Sequence, residues 1–214
     1  METARISHAP PLASSEPDEH VRTRLLNAAV RVFDRKGYAG ASVREIVELA
    51  GVAKPALYYH FGSKEGVLLA ILGQARQQFA QVVERGMARP GSARNRILAL
   101  CEDTYGLFEQ NVPTVRVAHA VFLGPPDGVP PFDVTVFEST FRDAVTRIVA
   151  DGQAAGEFRD VPPMDIALAV MGILEGCSER QLHPAFTPVG RETLARLLAL
   201  LFDGIMTSKR TQEI

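Results

Sequence analysis

Apolar residues recur along this chain at three- and four-residue spacing, and strand-like alternation never lasts more than a few residues. The pattern predicts an all-α protein. It begins at Glu19, after METARISHAPPLASSEPD (1–18), a polar Pro/Ser-rich stretch read as a disordered N-terminal arm. Leu25, Ala28, Ala29, Val32 and Phe33 form the stripe of a first helix, which Gly37 is expected to close. Ser42-Val43-Arg44-Glu45 has the form of a capping box, in which the hydroxyl bonds the third amide and the carboxylate reaches back. The second helix turns Val43, Ile46, Val47 and Ala50 inward and ends at Gly51. A third, very short helix carries Pro55 in its first turn, and Ser63 caps the helix after it. Further helices are predicted over about 64–88, 92–110, 113–123, 132–156, 163–183 and 190–208. Breaks fall at Arg89-Pro90-Gly91, Gly124 to Pro131, Val161-Pro162-Pro163 and Pro184 to Gly190.

Two short helices joined by Ala50-Gly51-Val52 make a helix-turn-helix, whose second helix enters the major groove of DNA. Ile46, Val47 and Ala50 face inward, Val52 lies under the turn, and Leu57 and Phe61, four apart, anchor the second helix. That leaves Lys54, Ala56, Tyr58, Tyr59 and His60 for the outer surface. Tyrosine hydroxyls donate to phosphates, a ring packs on a thymine methyl, and lysines supply the sequence-independent attraction. The net charge of −2 is unevenly spread. Residues 19–66 carry eight Lys/Arg and five acids, whereas residues 67–214 carry fourteen and seventeen, so a basic module sits on an acidic body.

Residues 42–68, SVREIVELAGVAKPALYYHFGSKEGVL, closely resemble the helix-turn-helix signature of the TetR/AcrR family of transcriptional regulators, and AAVRVFDRKGYAGAS resembles that family's first helix. The specific resemblance covers about residues 20–70, and the remainder is similar only as a run of helices. It implies an all-α homodimer with a DNA-binding domain over 19–66 and an effector-binding and dimerisation domain over 67–214. It further implies release from a pseudo-palindromic operator by a ligand. By matching positions, Ser42, Tyr58 and Lys64 are implied phosphate contacts, while Arg44, Lys54, Ala56, Tyr59 and His60 lie at or near base edges. Two positions depart from the family pattern. Ala53 stands where Ser or Thr is usual, which removes a side-chain cap, and Val47 stands where Ala is common.

In the remainder, Ile97, Cys101, Tyr105 and Phe108 form one stripe and Phe137, Phe141, Val145 and Ile148 another. Val115, His119 and Phe122 add a third, Met171 and Leu174 a fourth. Such faces either close as solid core or enclose a cavity. The resemblance favours a cavity for a small hydrophobic effector, with Arg116, His119 or Glu175 as orienting groups. His119 reads equally as a surface histidine, and Glu175 equally as a dimer-interface residue. The last helix, with Leu194, Leu197, Leu198, Leu200, Leu201, Phe202 and Ile205, covers more than one face. The preceding helix offers Ala169, Gly172 and Gly176 for close approach. The two are expected to form a two-fold four-helix interface. Cys101 and Cys177 read as reduced core thiols of a cytoplasmic protein. Neither a signal peptide nor an apolar run of about 20 residues is visible. No catalytic motif, no pair of histidines at metal-ligand spacing and no cofactor signature appears, so a non-enzymatic regulator without cofactor is expected. A helical adaptor that binds only protein, and a regulator that activates, are the alternatives.

Overall fold

A computed structural model describes residues 16–123, 132–133, 135–183 and 185–204. The elements are α1 (Glu16–Gly40), α2 (Val43–Ala50), α3 (Lys54–Phe61), α4 (Lys64–Ala88), α5 (Ala93–Gln110), α6 (Val112–Leu123), α7 (Thr135–Ala154), α8 (Pro163–Leu182) and α9 (Arg191–Asp203). Among the described residues there is no strand, as the apolar spacing predicts.

Two apolar cores are strung on one helix. Leu25, Val32, Ile46, Leu57, Leu68 and Leu72 belong to the first, which unites α1, α2, α3 and the start of α4. Phe79, Val82 and Val83, further along α4, belong to the second with Leu100, Tyr105, Phe141, Ile148, Met171, Leu194 and Leu198. The 25 residues of α4 span about 37 Å, long enough to serve both cores. Helix α6 belongs by sequence to the body, yet its Val117 is buried in the first core, with Ala118 and Val121 packed beside it. Thus α6 lies on α1 and joins the two parts of the molecule.

Three boundaries differ from the sequence reading. Gly37 kinks α1 rather than ending it: with φ 70° it swings the chain, which resumes helix to Gly40. The kink lets Tyr38 meet the Phe33 ring edge-on at 5.5 Å. Helix α7 runs from Thr135 to Ala154 rather than over 132–156. The chain turns back after α7, where Gly156 has φ 75° and the Glu157 N–H donates to the Gly152 carbonyl at 2.8 Å. Helix α9 stops at Asp203, before Gly204 at φ 77°; Ile205 and the residues after it lie outside the described residues. The arm expected over 1–18 lies outside them as far as residue 15, and α1 already includes Glu16.

Candidate nucleic-acid interface and effector body

The local chemistry of the helix-turn-helix follows the sequence closely. The Ser42 hydroxyl accepts from the Glu45 N–H at 3.3 Å, and the Ser42 N–H donates to Glu45 Oε2 at 3.1 Å, completing the capping box. The Lys36 ammonium also reaches this carboxylate. The hydrogen bond from Lys36, then those from Ser42, hold the Glu45 carboxyl down at about 2. Gly51 takes the left-handed conformation (φ 63°) that ends α2, and its N–H and that of Val52 return to α2 carbonyls. Ala53 opens α3 without a side-chain cap, as its methyl requires, and Pro55 stands in the first turn. Leu57 is fully buried and Phe61 packs half-buried on the same core, with the Arg22 guanidinium 5.6 Å from its ring centre.

The outer face of α3 carries Lys54, Tyr58 and Tyr59. Tyr59 is 76% exposed and Tyr58 46%, unusual for large aromatic side chains in a helix with only two turns. The Lys54 ammonium sits 5.7 Å from the Tyr58 ring centre, so charge and aromatic surface are presented together. Ala56 is half-buried beside them. His60 was expected on this face and is not there. Its side chain is only 8% exposed, and Nε2 lies 3.3 Å from Asp18 Oδ1 at the start of α1. The hundred-degree step from Tyr59 turns the imidazole away from the outer face and under α1. Its ring meets Tyr59 edge-on at 5.1 Å, which makes it a support for the exposed tyrosine.

Lys64 also has an internal task. Its ammonium donates to the Tyr38 and Ala41 carbonyls at 2.8 and 2.9 Å and lies 4.4 Å from the Tyr38 ring centre. These bonds tie the start of α4 to the end of α1 and leave one N–H for another acceptor. Arg44 is exposed and donates to Glu48 at 2.6 Å on its own helix. An exposed pair of this kind is weak and holds the guanidinium only lightly. Arg24 has no part in the sequence reading, yet it braces the turn: its guanidinium donates to the Ala50 carbonyl and, at 2.9 Å, to that of Gly51. Periodicity carries no signal for a side chain that bonds backbone 26 residues away.

In the body, Cys101, Tyr105, Phe141 and Met171 are buried in one cluster, and Phe137 packs on it. Both cysteines are free and buried, and burial pushes the Cys101 thiol up to about 12. The Tyr105 hydroxyl donates to the Val189 carbonyl and accepts from Gln181 Nε2, the latter at 2.7 Å. Phe108 is half-buried on α5, while the side chain of Phe122 lies outside the described residues. The three candidate orienting groups do not share an interior. His119 and Glu175 are both exposed. The first core takes the opposite, Val117, face of α6; Glu175 lies with Gly172 and Gly176 on the outer face of α8. Arg116 instead ties three elements. Its Nε donates to the Leu182 carbonyl at the end of α8 at 3.0 Å, and Nη1 lies 3.5 Å from the Asp34 carboxylate on α1.

The outer faces of α8 and α9 make a second exposed apolar surface. Met164, Leu168, Leu197 and Leu200 are all exposed there. Gly172 and Gly176 lie between them, and a Cβ at either would meet nothing within 4 Å. An open groove lined by Gly172, Ile173, Gly176, Arg180, Val189 and Leu197 runs between the two helices.

This arrangement agrees with known proteins. Residues 25–71 match the family described as bacterial regulatory proteins, tetR family. The HTH-type transcriptional activator FasR of Mycolicibacterium smegmatis is 35% identical over 101 residues, 47% of this chain and 46% of that protein. The HTH-type transcriptional repressor AcnR of Corynebacterium glutamicum is 35% identical over 77 residues, 36% of this chain and 41% of that protein. The chain thus spans less than half the length of these relatives. In three dimensions it is similar to the TetR family transcriptional regulator PfmR from Thermus thermophilus. The TM-score is 0.70 and the identity 24%, over 86% of this chain and all of that one. Residues 25–71 thus carry the DNA-binding signature of the tetR family of bacterial regulatory proteins, and the chain as a whole has the fold of a TetR family regulator. No described helix is long and apolar enough to cross a membrane.

Proposed function

We propose that this protein is a dimeric, ligand-responsive repressor that binds a pseudo-palindromic operator through α3 and leaves it when a small hydrophobic effector binds the body. The observation that carries the reading is the outer face of α3, where Lys54, Tyr58 and Tyr59 stand exposed on a helix anchored by Leu57. A helical adaptor for protein partners has no need of a capped, Arg24-braced turn that presents a lysine and two tyrosines. Ser42, Arg44 and Lys64 flank that face. In this reading they contact phosphate or base edges, with Lys64 using its third N–H.

Two copies joined through α8 and α9 place two α3 helices on successive major grooves, with half-sites about one helical turn apart. The path from body to DNA runs through α6, which lies on α1, and through Arg116, which holds the end of α8 and Asp34 of α1 together. An effector acts by binding one arrangement of these helices better than the other. FasR is named an activator, so activation at some promoters is the second reading; it changes where the operator lies, not how α3 reads it.

The test is a gel shift with genomic fragments. Tyr59→Ala is expected to cost about 1–3 kcal/mol of specific binding and to relax sequence preference. Lys54→Ala is expected to weaken binding to all sequences and to lower the salt slope by about one. If neither variant differs from wild type, the recognition surface lies elsewhere.

A further inference from the structure

Among the described residues, four buried polar atoms lack a hydrogen-bond partner: Arg96 Nε, Thr146 Oγ1, and the hydroxyls of Thr104 on α5 and Ser178 on α8. Of these four residues only Thr104, fully buried, and Ser178, 6% exposed, are buried as whole residues. A buried hydroxyl left unpaired is costly, and native proteins satisfy nearly all of them.

Contacts along the helices put the two hydroxyls within about one turn of a common level of the body. At one end, a Cβ on Gly152 of α7 would meet the Ala93 methyl of α5 at 2.6 Å. The helices run antiparallel from there, so Thr104, eleven residues on from Ala93, lies level with Phe141, eleven residues back from Gly152. Gln181, bonded to the Tyr105 hydroxyl, fixes the register of α8 against α5 and brings Ser178 within a turn of that level. Thr104 shares its face of α5 with Ala93, which touches α7, and with Leu100, which touches Gly86 of α4. Ser178 shares its face of α8 with Met171 and Leu174, both in the body core. The same layer holds an aromatic group, in which the Phe79 ring lies 5.4 Å from Phe137 and 6.5 Å from Phe141.

We propose that the Thr104 and Ser178 hydroxyls are the polar anchors of the effector site, and that the effector is an uncharged apolar molecule bearing a carbonyl oxygen. The proposal rests on the effector-responsive reading above. Two hydroxyl donors suit a neutral carbonyl oxygen, and the aromatic layer suits an apolar chain or ring beside it. A carboxylate or phosphate in this layer would lose its water, and the body's basic groups are committed elsewhere: Arg116 is engaged at the α1–α8 junction, Arg96 pairs with Asp151 and the Met87 carbonyl at the start of α5, and His119 is exposed.

The experiment is calorimetric titration of the full-length protein with methyl ketones and methyl esters of eight to twelve carbons. Carboxylates of equal length and their coenzyme A thioesters serve as comparison, on wild type, Thr104→Val and Ser178→Ala. The expected result is binding of the neutral carbonyl compounds to wild type, at least tenfold tighter than the charged ones. Each variant binds them about tenfold more weakly, since a tenfold change is the loss of about one good hydrogen bond. Without ligand each variant melts at the wild-type temperature or above it, because an unpaired hydroxyl has been removed. Tighter binding of the carboxylates or thioesters, equal binding by the variants, no binding of any neutral compound, or a clear fall in variant melting temperature overturns the proposal. An operator gel shift separates the two readings. Neutral ligands that bind through Thr104 and Ser178 but leave the operator occupied refute release while the site stands. Release by a charged compound, indifferent to both substitutions, refutes the site while release stands.

Discussion

Leu168→Arg combined with Leu200→Arg yields a folded monomer that loses operator binding by roughly a hundredfold or more. Both leucines are exposed on the outer faces of α8 and α9, so within the protomer the arginines meet water and the fold is kept. Across a two-fold interface the same side chains bury charge against charge, which costs far more than the area they cover. The loss of DNA affinity follows from geometry. In the proposed dimer, docking of one α3 helix presents the second to its half-site at high effective concentration, and avidity of this kind is worth about 10²–10⁴. Sedimentation of wild type and variant at micromolar concentration checks the assembly, and a gel shift checks the coupling. A variant that remains dimeric shows that another surface joins the protomers. A monomer that binds DNA as tightly as wild type shows that one α3 helix suffices.

Leu57→Ala is expected to destabilise the DNA-binding part by about 2–5 kcal/mol, the range for emptying a fully buried leucine site. The effect falls at the upper end because α3 has little else to hold it. It has eight residues, its first turn lacks a side-chain cap, and Leu57 is its one fully buried residue. A helix this short has no independent stability. Urea denaturation followed by circular dichroism measures the loss, and operator binding fails with it because Lys54, Tyr58 and Tyr59 are no longer held on one face. A loss below about 1 kcal/mol would mean that Phe61 and the Arg24-braced turn carry α3 without Leu57.

Much of the DNA-binding part was legible in the sequence because its determinants are local. The Ser42–Glu45 box, the turn at Gly51 and the bare first turn at Ala53 each depend on residues within four positions, and all three stand as read. What escaped depends on distant partners. His60 looks like an exposed neighbour of Tyr59 until α1 passes over it with Asp18. Lys64, implied by the resemblance as a phosphate contact, also takes an internal role once the kink at Gly37 delivers the Tyr38 and Ala41 carbonyls to it. At Gly66 a Cβ would fall on the Phe61 carbonyl oxygen, so the bare residue sets how closely α3 and α4 approach.

The body was legible as helices and less so as a site. Most of the stripe residues on α5, α7 and α8 lie in the body core, whereas the stripe on α6 does not, because a stripe does not say which neighbour it faces. Helix α6 turns Val117 to the first core and so leaves His119 outside. The polar residues drawn first from the sequence were the charged ones, Arg116, His119 and Glu175. Thr104 and Ser178, buried as whole residues among those described, carry neutral hydroxyls that no periodicity distinguishes from core positions.

The central claim is that the exposed face of α3, paired across a dimer, reads a specific operator. The most direct measurement is to recover the genomic fragments that wild-type protein retains against excess competitor DNA at physiological salt, and then to footprint them. The account predicts a recurrent pseudo-palindrome with two protected half-sites about one helical turn apart, bound by two protomers and lost when Tyr59 is replaced. Fragments retained without a common sequence, or a single unpaired protected site that Tyr59→Ala leaves unchanged, would contradict it.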